Sequence, residues 1–369
     1  MLVVVALSGG VDSSVAAAFL QAEGHDVVGV TMQIWPEEDG GGSERHGGCC
    51  AMGAVRDARA VAEHLGIPYY VFQMRDEFER EVISRFIQAY AGGRTPNPCV
   101  ACNEFIKFRA LLAKARRMGA GALATGHYAR LRQGRDGWEL WRGADARKDQ
   151  SYVLHPLDRA DLGFLRFPTG EMRKEDTRAH ARRLGLPTAD KPDSQEICFV
   201  GDAGYADLVG RARPDALRPG PIVDAEGRMV GQHRGLAHYT VGQRRGLGLA
   251  TGRPLYVVAL DAARNTLIVG EGHETAVAWC TVERVHWLAP CPPPGTTVEA
   301  KVRSGPAVHP ATVRPDPDGG ATVRFDPPVR AVTPGQACVV YAGERVLGGG
   351  EIADVGRVPA GNLLTTAAP

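Results

Sequence analysis

A short segment rich in glycine and serine near the start of the chain has the composition of a phosphate-binding loop. Ser8, Gly9 and Gly10 follow an apolar run, and Asp12 and Ser13 open a helical pattern. Glycines permit a tight turn that presents backbone N–H groups to an anion, while serine hydroxyls and a helix N-terminus favour negative charge. Asp12 could hold Mg²⁺ that bridges phosphates. The segment lacks the dinucleotide and Walker patterns, and a plain glycine turn with a helix cap is the alternative.

Three cysteines could supply thiolate chemistry. Cys99 and Cys102 stand three residues apart in a predicted loop, 94–102, that opens a helix, and Cys198 lies in the segment Asp193–Phe199. A helix N-terminus lowers the pKa of a thiol and so favours the reactive thiolate. Eight cysteines in 369 residues are too few for a disulfide scaffold. Without a secretory leader we expect them to be reduced and to serve as redox, metal or catalytic groups.

Other roles compete for these cysteines. A structural zinc site needs four ligands, and the chain offers no second Cys-x-x-Cys pair. An iron–sulfur cluster held by Cys99, Cys102 and Cys198 is an open alternative. Simple burial is expected for the cysteines of the C-terminal, β-rich half, which are Cys280, Cys291 and Cys338, and no role is assigned to Cys49 and Cys50.

The elements that must position this chemistry alternate between strand and helix over the first third of the chain. Such alternation is typical of an open parallel sheet with right-handed crossovers. The glycine-serine loop follows the first strand, where ligands of such sheets bind. Apolar runs and helical periodicity predict strands at Leu2–Leu7, Val27–Ile34, Tyr69–Gln73 and Ala122–Thr125, and helices at about 12–23, 54–65, 78–91 and 103–118.

Beyond the first third of the chain, the pattern of predicted elements changes. A hairpin of Tyr128–Leu131 with Trp138–Trp141 is predicted, and helical patterns resume at Asp158–Phe167 and Arg173–Leu184. After about residue 202, glycine and proline become frequent and short β-rich runs replace helical periodicity. We expect a small mixed module there, followed by a β-barrel or sandwich.

Composition and charge bound the class of protein. The 369 residues predict two or three domains at roughly 150 residues each. Lys and Arg (43) nearly balance Asp and Glu (42), and a neutral total is compatible with nucleic-acid binding where basic residues cluster. No apolar run approaches the ~18 residues of a membrane helix, and the apolar start lacks the basic leader of a signal peptide. We therefore expect a cytoplasmic protein without a membrane partner.

The motifs resemble those of known families. The segment Ser8–Ser13 resembles the Ser-Gly-Gly-x-Asp-Ser loop of the PP-loop ATP pyrophosphatase superfamily, whose members split ATP between its α and β phosphates. Further blocks occur in order and resemble the bacterial tRNA-specific 2-thiouridylase family. They are Pro96–Asn103, Gly126–Tyr128, Lys148–Tyr152, Ile197–Phe199, Tyr239–Gly248 and Thr333–Gln336. With the loop, the resemblance extends from about Val3 to Ile352.

This resemblance implies an α/β protein built in three parts. An N-terminal open parallel sheet of the PP-loop (adenine nucleotide α-hydrolase-like) type is expected at 1–202. A small central mixed domain is expected at 203–274 and a C-terminal β-barrel domain at 275–358. A flexible tail is expected at 359–369.

The resemblance also implies a sulfurtransferase activity, the ATP-dependent conversion of the wobble uridine of tRNA to 2-thiouridine. Adenylation of the base would be followed by sulfur transfer from a cysteine persulfide. Cys102 matches the family's nucleophile and Cys198 its persulfide carrier, and Cys99 stands where some members carry an Asp proposed as acid or base. Cys102 either frees sulfide from the persulfide or forms a disulfide with Cys198. The expected sulfur donor is a persulfide-carrying protein, a cysteine desulfurase or relay protein.

Two groups of binding residues complete what the resemblance implies. The group around ATP and Mg²⁺ is Ala6, Leu7, Ser8, Gly9, Gly10, Val11, Asp12, Ser13, Met32 and Gly126. The group that contacts tRNA is Asn97, Pro98, Cys99, Lys148, Asp149, Gln150, Arg303 and Gln336, and His127 could stack or hydrogen-bond beside the target base. The anticodon loop presents such a base at low cost.

Two other classes of protein stay open. An amide- or guanidine-forming ligase of the same superfamily, acting on a small metabolite, would have no need of Cys102 and Cys198. A tRNA-binding or nucleotide-sensing protein with an inactive loop would have no need of the complete Ser-Gly-Gly-x-Asp-Ser motif.

Overall fold

The computed structural model describes residues 1–34, 52–193, 197–200 and 204–357. The predictions for Cys49, Cys50 and the tail at 359–369 lie outside the described residues. The chain forms two compact units. The first comprises Met1–Ile83, Pro98–Asp202 and Glu344–Val346, and the second comprises Ser84–Asn97, Ala203–Gly343 and Leu347–Pro369.

Strands and helices alternate in the first unit. In chain order they are β1 (Leu2–Ala6), α1 (Val11–Ala22), β2 (Asp26–Gln33), α2 (Met52–Leu65), β3 (Tyr69–Gln73) and α3 (Arg75–Phe78), which continues into a π-helical segment (Glu79–Ile83). After α4 (Ser84–Ala91), which belongs to the second unit, come α5 (Pro98–Ala101), a π-helical segment (Cys102–Leu111), α6 (Leu112–Arg117), β4 (Ala122–Ala124), β5 (Ala129–Gly134), β6 (Gly137–Arg142), β7 (Leu165–Arg166) and α7 (Lys174–Arg183). Short 3₁₀ helices lie at Ser151–Leu154, Arg159–Phe164 and Pro168–Glu171.

Five parallel strands form the central sheet, in the order β3-β2-β1-β4-β7. Val3 of β1 pairs with Val27 of β2 on one side and with Ala122 of β4 on the other. Val3 and Val5 are fully buried, because a parallel sheet is covered on both faces and its strands are apolar throughout. The strand order reverses between β1 and β4. Open α/β sheets bind ligands at such a reversal, beyond the carboxyl ends of the strands.

The structure corrects two predictions in this unit. The helix expected at 103–118 begins at Pro98, so Cys99 lies in its first turn and not in a loop. Proline suits the first helical position because its fixed φ is helical and its missing N–H has no partner there. The helix predicted at 158–167 is a 3₁₀ helix that ends at Phe164, and the two residues of β7 follow it. So short a strand leaves no periodic signal in the sequence.

The second unit contains a four-stranded sheet and a closed barrel. Its elements after α4 are α8 (Tyr205–Ala212), β8 (Gly220–Val223), β9 (Met229–His233), β10 (Tyr256–Asp261), β11 (Thr266–Gly270), β12 (Ala276–Trp287), β13 (Thr296–Lys301), β14 (His309–Pro315), β15 (Ala321–Arg330), β16 (Ala337–Ala342) and β17 (Arg345–Arg357). The small sheet has the order β10-β11-β8-β9, and the barrel has the order β12-β15-β14-β13-β16-β17. Pairing of β12 with β17 closes the barrel, which removes the exposed edges that an open sheet presents.

Burial of the barrel cysteines is confirmed for two of the three. Cys280 and Cys338 are 0% and 1% exposed in the apolar barrel core. A hydrogen bond with Cys338 and burial raise the pKa of the Cys280 thiol, which keeps it protonated at neutral pH. The prediction is wrong for Cys291, which is exposed because it lies in the proline-rich connection between β12 and β13.

The fold class is confirmed as α/β, with a parallel sheet and a C-terminal β-barrel. The domain boundaries at 202/203 and 274/275 stay a prediction. Helix α8 was not expected, since helical periodicity fades after residue 202 and its eight residues follow a glycine. No helix within the described ranges combines the length and apolar character needed to cross a bilayer.

Candidate active site

The loop between β1 and α1 turns at Gly9 and leads the chain into a helix N-terminus. Gly9 has a φ of 65°, and a side chain there would collide with the carbonyl oxygen of Ala54, so the turn requires glycine. Ser8 N donates to Ser13 Oγ at 3.2 Å, and Ser13 Oγ donates to Gly10 O at 3.1 Å. These bonds tie the loop to the first turn of α1, whose N–H groups attract anions.

Gly126 follows β4 and forms the opposite side of this crevice. A Cβ built on Gly126 would lie 2.5 Å from Ser13 N and 2.6 Å from Asp12 C. The two backbones therefore approach each other more closely than any side chain permits. At the reversal point of the sheet, the glycine-serine loop therefore follows β1, and a second position that requires glycine, Gly126, follows β4.

A cavity of about 490 Å³ opens at this point, inside the first unit. It brings together most of the residues expected around ATP, which are Ala6, Leu7, Ser8, Gly10, Val11, Asp12, Ser13, Met32 and Gly126. The same cavity is lined by residues expected around sulfur and the target base, which are Pro98, Cys99, Cys102, His127, Lys148, Gln150 and Cys198. Gly9 and Asp149 are not among its described lining residues, and Asn97, Arg303 and Gln336 belong to the second unit.

The three cysteines of the cavity differ in exposure. Cys99 is exposed in the first turn of the helix that begins at Pro98, while Cys102 and Cys198 are partly buried. Cys102 is the first residue of the π-helical segment, a geometry that often occurs at functional sites. Among the residues that the structure describes, no group of three or more His, Cys, Asp or Glu side chains is arranged to hold a metal ion.

Lys174 and Lys191, which belong to no sequence motif described above, bring positive charge into the cavity. Lys174 Nζ contacts both carboxylate oxygens of Asp12, at 2.7 and 2.8 Å, and Asp193 Oδ1 at 2.8 Å. Lys191 Nζ donates to Gly9 O at 2.9 Å and so ties the loop to a second residue of the cavity wall. Tyr128 Oη donates to Asp12 Oδ1 at 2.8 Å. The Asp12 carboxylate is therefore paired with a cation that it shares with Asp193.

Two pKa shifts follow from this network. Burial and the nearby Asp12 carboxylate raise the pKa of Tyr128, so its hydroxyl stays protonated and donates. Partial burial alone would raise the pKa of Asp193, but hydrogen bonds from Lys148 and Lys174 outweigh it and lower that pKa to about 2. Asp193 is therefore an anion at every pH at which the protein would work.

An Asp193→Asn variant is expected to lower the free energy of unfolding by about 1–2 kcal/mol at pH 6, the range for hydrogen bonds to a partly screened charged group. The folded-state pKa of about 2 lies below the ordinary value near ~3.9. The stabilisation is therefore present above about pH 4 and is lost as the pH falls toward 2. Urea unfolding of both proteins from pH 6 to pH 3 should show the gap narrowing below pH 4, and a widening gap would contradict an ionised Asp193.

Several residues expected to bind tRNA have protein partners in the structure. Asp149 accepts from Gly143 N, Ser151 N and Ser151 Oγ, each at 3.0 Å, just before the 3₁₀ helix at Ser151–Leu154. Gln150 Oε1 accepts from Tyr128 N at 3.0 Å. In the second unit, Gln336 Nε2 donates to Thr95 O at 2.7 Å. These three side chains hold backbone segments in place, whatever else they contact.

His127 is 7% exposed at the wall of the cavity. Its Nδ1 is 2.7 Å from Thr125 Oγ1, and its ring packs against those of Phe108 and Phe167, with centroids 5.8 and 5.9 Å away. The imidazole is thus held in one orientation by a hydrogen bond and aromatic packing.

A parallel sheet with a glycine-serine loop at its reversal point, facing thiols across one cavity, defines a nucleotide-binding α/β protein of the PP-loop class. Residues 1–202 match the family model described as tRNA methyl transferase HUP domain. Residues 207–271 match the tRNA methyl transferase PRC-barrel domain, and 277–352 match the aminomethyltransferase β-barrel domain.

Relatives of known name align over nearly the whole chain. The tRNA-specific 2-thiouridylase MnmA of Chloroflexus aurantiacus is 53% identical over 353 residues, which is 95% of this chain and 98% of that protein. The protein of the same name from Paramagnetospirillum magneticum is 52% identical, with 95% of each chain covered. That from Symbiobacterium thermophilum is 49% identical, with 95% of this chain and 91% of the relative covered. The chain belongs to the tRNA-specific 2-thiouridylase family.

Proposed function

We propose that the protein catalyses ATP-dependent thiolation of the wobble uridine of tRNA at C2. The observation that carries the proposal is a single cavity lined by Ser8, Asp12 and Ser13 together with Cys99, Cys102 and Cys198. Family membership, through relatives named as tRNA-specific 2-thiouridylases, supports tRNA as the substrate. A nucleotide loop and thiols in one cavity suit a reaction in which ATP activates an atom that sulfur then replaces.

Adenylation solves the chemical difficulty of this exchange. The C2 oxygen of uracil is a poor leaving group, and transfer of AMP to it converts it into a good one. The oxygen attacks the α-phosphate of ATP, an O–P bond forms and pyrophosphate leaves. The N–H groups at the start of α1 would stabilise the charge that builds up on the phosphates, and Lys174 and Lys191 line the same cavity.

Asp12 fits the expected role in holding Mg²⁺. An ionised carboxylate accepts about four hydrogen bonds or ligands, and the contacts to Asp12 described above, from Lys174 and Tyr128, number three. Magnesium characteristically uses one or two protein carboxylates and completes its shell with phosphates and water. When bound, it would neutralise charge on the phosphates.

Sulfur delivery follows with Cys198 as the persulfide carrier, loaded by a persulfide-carrying donor protein. In one route, the terminal sulfur attacks C2, AMP leaves, and Cys102 then attacks Cys198 Sγ, forming a disulfide and leaving sulfur on the base. In the other, Cys102 attacks first, the Cys102–Cys198 disulfide forms, and the released sulfide attacks C2 with loss of AMP. In both routes a thiol reductant must reduce the disulfide before the next cycle.

The activity is tested directly by incubating the protein with wobble-uridine tRNA, ATP, Mg²⁺ and a persulfide donor. We expect 2-thiouridine at the wobble position in the digested tRNA, with one AMP and one pyrophosphate per sulfur incorporated. A small-metabolite ligase would instead form AMP without tRNA. Formation of AMP that does not depend on tRNA, without 2-thiouridine, would overturn the proposal.

A Cys102→Ser variant separates the two sulfur routes. If the persulfide attacks C2 directly, this variant should accumulate tRNA joined to Cys198 through a disulfide, which dithiothreitol releases as thiolated tRNA. If sulfide is released first, no adduct forms and added sulfide should restore at least about a tenth of the unaltered rate. Denaturing gel mobility of labelled tRNA, with and without dithiothreitol, distinguishes these outcomes.

A further inference from the structure

One ammonium group in the cavity pairs with two carboxylates from distant parts of the chain. Lys174 opens α7 and its side chain is only 11% exposed. Its Nζ lies 2.7 and 2.8 Å from the oxygens of Asp12 and 2.8 Å from Asp193 Oδ1. A lysine has much rotamer freedom. Because both carboxylates bind the same ammonium group, Lys174 in turn fixes the distance between Asp12 and Asp193.

These two carboxylates serve different parts of the proposed reaction. Asp12 lies in the first turn of α1, directly after the loop expected to bind the phosphates. Asp193 precedes Cys198 by five residues, a length of chain that spans at most about 18 Å. Anchoring Asp193 therefore restricts the positions that the sulfur of Cys198 can occupy.

The anchor on the Asp193 side is reinforced from α7. Arg178 NH2 donates to Asp193 Oδ1 at 2.8 Å, and its NH1 donates to Lys191 O at 2.9 Å. Lys148 Nζ donates to Asp193 Oδ2 at 2.7 Å. Lys191 and Asp193 are thus fixed to the same helix that supplies Lys174, and Lys174 is the member of this set that also contacts Asp12.

We propose that Lys174 is a positioning residue that couples the nucleotide loop to the segment carrying Cys198. The inference rests on the proposed function. Without the ammonium, Asp12 presents uncompensated negative charge to the incoming triphosphate, and Asp193 loses the contact that links it to the loop. The first change weakens ATP binding, and the second slows sulfur transfer even when ATP is saturating.

Two variants separate these effects. Lys174→Met removes the charge and keeps the length of the side chain, and we expect the KM for ATP to rise about tenfold and sulfur transfer at saturating ATP to slow at least about tenfold. Asp193→Asn leaves the Lys174–Asp12 pair intact, so sulfur transfer should slow similarly while the KM for ATP changes less than about threefold. The double variant should transfer sulfur no more than about threefold slower than Lys174→Met, because both single changes break the same Lys174–Asp193 ion pair.

The KM is measured by tRNA-dependent exchange of labelled pyrophosphate into ATP. Sulfur transfer is measured in a single turnover, from protein preloaded with labelled persulfide. The matched control is Arg182→Met. Arg182 lies in α7, as Lys174 does, and its substitution removes an exposed ion pair with Asp190. This control should behave like the unaltered protein in both assays.

The outcomes are distinct. The coupling is overturned if Lys174→Met transfers sulfur within twofold of the unaltered rate at saturating ATP. It is also overturned if the two single losses of sulfur-transfer rate multiply in the double variant, or if Arg182→Met loses rate as Lys174→Met does. Failure of the unaltered protein to form 2-thiouridine would overturn the proposed function, and the coupling with it.

Discussion

A Cys198→Ser variant is expected to lose at least about a thousandfold of its tRNA thiolation rate while it still exchanges pyrophosphate into ATP in the presence of tRNA. A serine hydroxyl cannot carry a persulfide, so the sulfur atom has no covalent carrier in the cavity. The loop at Ser8–Ser13 is not altered, so adenylation should keep at least about a third of its rate. Quantifying 2-thiouridine in digested tRNA beside the exchange assay measures both steps on the same preparation.

The control for this variant is Cys291→Ser, which removes an exposed thiol from the second unit. It should leave thiolation and exchange unchanged, which separates the loss of one carrier from general thiol chemistry. Thiolation by Cys198→Ser at more than a tenth of the unaltered rate would contradict a persulfide on this residue. Loss of both activities together would mean that the substitution damages the cavity as a whole.

A Gly126→Ala variant is expected to bind ATP at least about a hundredfold more weakly and to lose adenylation with it. The added methyl group would lie 2.5 Å from Ser13 N and 2.6 Å from Asp12 C. Neither backbone atom can move without displacing the first turn of α1. Overpacking of this kind costs about 1–3 kcal/mol of stability, and it also turns away the N–H groups that face the phosphates. Calorimetric titration with a non-hydrolysable ATP analogue measures the affinity.

Gly53→Ala is the matched control, because a Cβ on Gly53 in α2 would meet nothing within 4 Å. Replacing a helical glycine by alanine stabilises by up to about 1 kcal/mol, and the affinity for the analogue should not change. Thermal unfolding of both variants separates a folded protein with a blocked site from a destabilised one. A folded Gly126→Ala protein that binds the analogue within threefold of the unaltered affinity would refute the role of this close approach.

Much of the parallel sheet can be predicted from sequence, because strands buried on both faces are continuous apolar runs. The prediction for Tyr69–Gln73 matches the observed strand at both ends, and that for the hairpin at 128–141 is confirmed in its pairing. The two residues of β7 carry too little pattern to predict. Apolar periodicity places the start of this helix at about residue 103, five residues late, although Pro98 is itself a signal for the first position of a helix.

In the candidate site, residues that are contiguous in sequence can be predicted, and residues that only folding brings together cannot. The glycine-serine loop and the cysteine pair are contiguous in sequence, so their residue types alone indicate phosphate and thiol chemistry. Lys174 and Asp12 are 162 residues apart, and no local pattern relates them. They meet because α1 and α7 share an apolar contact that includes Val11, Val15 and Ala181. A contact of this kind can be seen only after the chain has folded.

The π-helical segment from Cys102 to Leu111 makes the direction of the Cys102 thiol depend on chain length as well as on residue type. Each turn of such a segment contains about one residue more than an α-helical turn. Deleting one residue while the rest of the helix keeps its geometry would rotate the residues before the deletion by up to about 100° relative to those after it. The thiol would then turn away from the cavity although every remaining side chain of the helix is unchanged. Substitutions within this helix can therefore be tolerated at positions where a deletion cannot.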